Sequence, residues 1–111
     1  SHPVDLSNKF EKASRYKGPK LFIAFSPCPP GWSFGSSKSA NVAKLAVQTG
    51  LLPLKEAIDG KVKHTVIPKF KPVEEYLKTQ ERYAHLFEPT KQTDIINTIQ
   101  KDIDDYWKRY L

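Results

Sequence analysis

The chain has 111 residues, of which 39% are apolar, which is the size of one ordinary domain with a modest core. A single cysteine excludes an internal disulfide framework, and no run approaches the roughly 18 to 20 consecutive apolar residues of a membrane span. The formal charge of +6 comes from scattered lysines, among them Lys9, Lys20, Lys61 and Lys71, and this describes a solvated surface better than a nucleic-acid stripe.

In chain order, residues 3–16 predict a helix, with Leu6, Phe10 and Ala13 at three- and four-residue spacing and Gly18-Pro19 as its end. Residues 20–25 are short, aromatic and apolar on both faces, the pattern of a central parallel strand. Residues 26–38 are too rich in Pro, Gly and Ser for regular structure. Ser39 is the expected cap of a helix through about Thr49, with Val42, Leu45 and Ala46 on one face and Gly50 as the stop.

Residues 51–58 and 61–67 predict two strands joined by Asp59-Gly60, a favoured hairpin turn, and the lysines of the second strand place it at an edge. A helix is expected over 73–86, opened by Glu74 and Glu75, where carboxylates complement the helix dipole. Pro89 breaks it. The last helix, 93–110, gathers Ile95, Ile96, Ile99, Ile103, Tyr106 and Trp107 on one broad apolar side. His64 and His85 have no acidic or thiol partner at metal-like spacing and read as surface or capping residues, and Arg82 reads as a solvated ion or as a partner for an acid on another subunit.

One buried parallel strand with helices and a hairpin does not build a sheet, because a parallel strand needs parallel neighbours. The chain is therefore expected to be a single domain, 1–111, that forms the carboxyl-terminal part of a larger α/β unit or one component of a split assembly. Alone it is expected to expose sheet edge, with self-association into a homodimer or docking on a partner as the outcome. Residues 1–20 lack the apolar centre of a signal peptide, and a cytoplasmic address without membrane attachment is the expectation.

Cys28 sits in Ser26-Pro27-Cys28-Pro29-Pro30-Gly31-Trp32, just after the expected strand, where the carboxyl edge of a sheet commonly binds ligands. One thiol cannot complete a tetrahedral metal site or a cluster, so Cys28 either has partners outside the chain or is a small core residue. Trp32 is likewise either a wall beside a ligand or a packing anchor.

The stretch Phe22-Ile23-Ala24-Phe25-Ser26-Pro27-Cys28-Pro29-Pro30-Gly31-Trp32, followed by residues 43–54, resembles the carboxyl-terminal third of the beta subunit of pyruvate:ferredoxin oxidoreductase, or pyruvate synthase, a thiamine diphosphate-dependent 2-oxo acid:ferredoxin oxidoreductase family. Lys71-Pro72-Val73-Glu74-Glu75-Tyr76-Leu77, then Gln80, Arg82, Tyr83 and Leu86, continue the likeness, as does the closing helix with Gln100 and Trp107. It departs from the family's pattern at Glu81, where Gly is usual, and at Pro30, where Thr is common.

The resemblance implies an α/β fold that is part of a thiamine diphosphate-binding domain: a mainly parallel sheet with flanking helices, an edge hairpin and two terminal helices. It implies that Cys28 is the fourth ligand of a 4Fe-4S cluster, with Pro27, Gly31 and Trp32 beside the cofactor. The complete enzyme would convert pyruvate and coenzyme A to acetyl-CoA, carbon dioxide and reduced ferredoxin, or run in reverse. It would use thiamine diphosphate and magnesium with alpha-, gamma- and delta-type subunits. This chain lacks the family's amino-terminal Cys-x-x-Cys pair, its remaining cluster ligand and its Gly-Asp-Gly and Asn diphosphate motif, so alone it is expected to bind no cofactor and to be inactive. The competing readings are a non-catalytic interaction module and a basic nucleic-acid-binding domain.

Overall fold

The structure, a computed structural model, describes residues 1–111. It is a mixture of helices with one small sheet, in the order α1 (Pro3–Arg15), α2 (Pro29–Trp32), α3 (Ser39–Gln48), β1 (Lys55–Ile58), β2 (Lys61–His64), α4 (Val73–Leu77) and α5 (Thr93–Lys108), with 3-10 turns at Ser36–Lys38 and Glu81–Leu86. No helix is long and apolar enough to cross a membrane.

The core is built where α3, α4, the Glu81–Leu86 turn and α5 meet. Val42, Leu45 and Ala46 of α3 pack with Val73, Tyr76, Leu77, Leu86, Ile96, Ile103 and Trp107. These are the apolar faces expected from the helical spacing, except that Ile95 points to solvent. Two long-range polar contacts tie the core together. The Gln100 side chain on α5 accepts the Val73 backbone N–H at 2.8 Å, serving the otherwise uncapped start of α4. The Trp107 indole N–H donates to the Gly50 carbonyl at 2.9 Å. Gly50 ends α3 at φ +83°, and a Cβ there would lie 2.7 Å from that indole nitrogen, so both the backbone turn and the close approach require glycine.

Several expectations are corrected. The helix begins one residue earlier in register than foreseen: Lys38 stands at the cap position, and the Ser39 hydroxyl instead donates to the Ser36 carbonyl of the preceding 3-10 turn. The hairpin forms at Asp59 and Gly60, both at positive φ as a primed turn demands, but its strands are four residues each rather than seven or eight. The expected helix 73–86 is broken. The Thr79 hydroxyl takes the Tyr76 carbonyl at 2.7 Å, Gln80 turns extended, and the chain restarts as a 3-10 turn. The loop 26–38 is not wholly irregular, because Pro29 at the first helical position starts the single turn α2.

The largest difference concerns residues 20–25. They form no strand and make no backbone–backbone hydrogen bond. Leu21 and Ile23 are 84% and 91% exposed, the opposite of burial on both faces. A strand exists only by pairing, and the single sheet here is the antiparallel β1–β2 hairpin, which pairs with itself. No parallel neighbour is present.

Helix α1 also buries nothing. It is fastened at its rim, by Lys12 to Glu56 at 2.7 Å, by the Tyr16 hydroxyl to Asp59 at 2.6 Å and by Phe10 stacked on Phe22 at 4.1 Å. Only 15 of 111 residues are buried, and the radius of gyration is 15.9 Å, against about 13 Å for a compact domain of this length. The chain is thus a small packed body carrying an amino-terminal arm.

Candidate functional site

Residues 27–34 fold as one tight turn around Cys28. Cys28 caps α2 in an extended conformation, its carbonyl accepting the Trp32 N–H at 2.9 Å, and Phe34 N–H closes on the Pro29 carbonyl at 3.2 Å. Ser33 leaves the helix at φ +57°. The proline pair pre-sets the backbone angle of the turn, and the thiol is left at its outer end.

The Cys28 thiol is free and exposed, which removes the small-core-residue reading. A Cβ on Gly31 would lie 3.4 Å from its sulfur, so the glycine keeps one flank of the thiol open. Pro27 is half-buried immediately before it. Trp32 turns the other way. Its half-buried ring packs against the core, with Phe25 at 5.4 Å and Phe34 at 6.3 Å, so it is a packing anchor. The four site residues lie within one turn, but only Cys28 and Gly31 face each other.

No three His, Cys, Asp or Glu side chains gather anywhere in the chain as a metal site. The donor set at this turn is one thiol. It fits a cluster as a single ligand and cannot hold one by itself.

Arg82 is the residue that sequence reasoning misjudged. Its guanidinium carbon lies 4.0 Å over the Trp32 ring and 4.6 Å over the Tyr83 ring. Its Nε donates to Gln80 Oε1 at 2.6 Å and an Nη to the Tyr76 hydroxyl at 3.2 Å. Gln80 and Tyr76 are 3% and 2% exposed. The Gln80 amide is oriented in turn by the Tyr76 carbonyl and the Thr79 hydroxyl. No carboxylate pairs with Arg82, so it is neither a solvated ion nor half of a salt bridge. The signal was present in the order Gln80, Arg82, Tyr83 close to Tyr76, but only the break after α4 brings these side chains onto Trp32.

His64 is also not a surface residue. It lies at the end of β2 among aromatic rings, 4.8 Å from both Trp107 and Tyr110, with a ring nitrogen 2.7 Å from the Tyr106 hydroxyl. Lys55 Nζ donates to the same hydroxyl at 3.2 Å, so that hydroxyl is free to donate its proton to a neutral imidazole. Burial, and then the Lys55 charge, push the His64 pKa below its ordinary value. His85 is exposed in the 3-10 turn.

No family model matches the chain. Among curated proteins it is 41% identical over 109 residues to the pyruvate synthase subunit PorB of Methanocaldococcus jannaschii, covering 97% of this chain and 35% of that protein. The pyruvate synthase subunit PorB of Thermotoga maritima is 38% identical over 112 residues, covering 100% of this chain and 35% of its own length. The ketoisovalerate oxidoreductase subunit VorB of Pyrococcus furiosus is 40% identical, covering 98% of this chain and 34% of its own length. The chain thus spans about a third of the length of the curated relatives it matches.

Proposed function

We propose, from the premise that this chain belongs to the subunit family of pyruvate synthase PorB and ketoisovalerate oxidoreductase VorB, that it serves as the carboxyl-terminal part of a 2-oxo acid:ferredoxin oxidoreductase subunit and contributes Cys28 as one ligand of a 4Fe-4S cluster. The observation that carries this reading is an exposed, unpaired thiol at a preformed turn with an open flank at Gly31, in a chain similar to these subunits along nearly all its length. When bound in the complete enzyme, thiamine diphosphate with magnesium would supply the decarboxylating chemistry and the cluster the electron-accepting chemistry.

The contribution of this chain is positional. Cys28 offers a thiolate, and Gly31 keeps a Cβ away from the sulfur. Pro27 and the Pro29-Pro30 pair stiffen the backbone on either side, and Trp32 seats the turn on the core. The cluster's other ligands and the diphosphate site come from outside residues 1–111, so the chain alone is inactive. Alpha-, gamma- and delta-type subunits, ferredoxin and coenzyme A are its partners in the assembled enzyme, and the substrate is a 2-oxo acid, with pyruvate preferred. The exposed, unpaired residues 20–25 support the same reading, since both edges of that segment are free for a sheet supplied by the rest of the assembly.

The test is Cys28→Ser in the assembled oxidoreductase, read by iron and acid-labile sulfide content and by electron paramagnetic resonance of the reduced enzyme. Loss of one cluster's iron and signal, with subunit assembly retained, is the expected result. Unchanged iron would instead identify a non-catalytic interaction module.

A further inference from the structure

The Cys28 turn is held to the packed body through few contacts. On its amino-terminal side, residues 20–27 make no backbone–backbone hydrogen bond. On the other side the Glu81 N–H donates to the Ser33 carbonyl at 3.0 Å, and the Trp32 ring lies under the Arg82 guanidinium. The Trp32 N–H is bonded to the Cys28 carbonyl, so the indole and the cysteine are parts of one helical turn and move together. Whatever fixes the plane of Trp32 therefore fixes the direction of the Cys28 Cα–Cβ bond.

We propose that Arg82 is a positioning residue for Cys28: its guanidinium, pinned edge-on by Gln80 and Tyr76, clamps the Trp32 ring and so orients the turn that presents the thiol. A flat cation above an indole is attracted by the ring quadrupole, and the planar fork lets Arg82 keep its bonds to Gln80 and Tyr76 while it stacks. A lysine at this position has neither the plane nor the fork. The absence of any acidic partner fits the role, because a carboxylate would draw the guanidinium off the ring and neutralise the charge that holds it there. The pin is rigid as well, since Gln80 and Tyr76 belong to the buried core. A break in the helix after α4 is what carries Arg82 from the core to the turn, so an interruption that costs helical hydrogen bonds gains a functional purpose.

The consequence for catalysis rests on the reading of Cys28 as a cluster ligand, whereas the clamp itself is testable without a cluster. In the 111-residue chain, the alkylation rate of Cys28 by iodoacetamide, a neutral reagent, is measured across the thiol's titration range, so that ionisation is separated from access. Arg82→Lys, which keeps the charge, and Arg82→Met are each expected to raise the plateau rate about threefold to tenfold, the change that release of one stacked cation contact produces. Trp32→Leu should do the same, and the double variant Arg82→Lys with Trp32→Leu should be no faster than the faster single one. Plateau rates equal to the parent's, or effects that multiply in the double variant, would overturn the clamp. Should Arg82→Met fail to fold, Arg82→Lys and Trp32→Leu complete the comparison.

In the assembled enzyme Arg82→Lys should retain iron while shifting the paramagnetic signature of the reduced cluster. An unshifted signature would overturn the clamp's functional role. If Cys28→Ser retains its iron, the ligand reading fails, and the alkylation rates alone decide the clamp.

Discussion

The two ends of this molecule solve the burial problem differently. Around Tyr76 and Trp107, apolar faces from α3, α4 and α5 cover one another, and no buried side-chain nitrogen or oxygen lacks a hydrogen-bond partner. Along the arm, the apolar residues Val4, Leu6, Leu21 and Ile23 face solvent, and the only aromatic pair, Phe10 with Phe22, is itself half exposed. Both regions carry sequence patterns for burial. The difference is that the core's partners lie within these residues, while the arm's do not. An apolar pattern therefore states that a surface will be covered, without stating by which chain.

The comparison can be broken at its strongest point first. Trp107→Ala removes a buried indole and leaves the Gly50 carbonyl without its donor, and it should lower the unfolding free energy by about 3 to 5 kcal/mol in urea titrations. A loss under about 1 kcal/mol would mean that the packed body is not the stabilising unit.

A second effect should come from pH. The folded-state pKa of His64 lies below its ordinary value, so folding favours the neutral ring. Its contribution is fully present above the unfolded imidazole value of about 6.5 and is lost as pH falls through the lower, folded one. The urea midpoint should drop between neutral pH and about pH 5, and His64→Gln should flatten that part of the slope. Protonation would remove the acceptor for Tyr106 and set two cations, His64 and Lys55, against one hydroxyl.

Smaller still is the fastening of the arm. Lys12→Ala breaks a half-exposed ion pair with Glu56 and should change global stability by less than about 1 kcal/mol, while amide exchange in α1 accelerates. Smallest of all, Ile23→Ser should alter the stability of the chain by no more than about 0.5 kcal/mol, since the side chain is already in water. The same change should weaken assembly with the rest of the oxidoreductase, where amides 20–25 are expected to gain exchange protection. A large stability loss in the isolated chain, or no protection on assembly, would erase the contrast between arm and body.

Legibility in the sequence followed the same division. Helices α1, α3 and α5 and the Asp59-Gly60 turn were readable because their signals are local: apolar spacing, a glycine stop, a dipeptide that tolerates positive φ. The break after α4 was not, because residues 73–86 keep helical spacing and the decisive bond, Thr79 to the Tyr76 carbonyl, competes only once the Gln80 amide has Arg82 to hold. Residues 20–25 were read correctly for composition and wrongly for state, since pairing is a property of neighbours. At the site, Cys28 and Gly31 were legible from the turn's own residues, whereas Arg82 became visible only when a 50-residue loop closed it over Trp32, by arithmetic on positions 32 and 82.

The chain's two tryptophans fall one in each functional setting, and this supplies intrinsic optical probes. Trp107, sealed and bonded to Gly50, should emit at the blue end and shift to the red only when the body melts. Trp32, half exposed under a cationic guanidinium, should be the indole that an added solute quenches first. Replacing either with phenylalanine isolates the other. One fluorimeter cuvette can then follow the ligand turn and the core as separate signals during assembly, with no dye attached to Cys28.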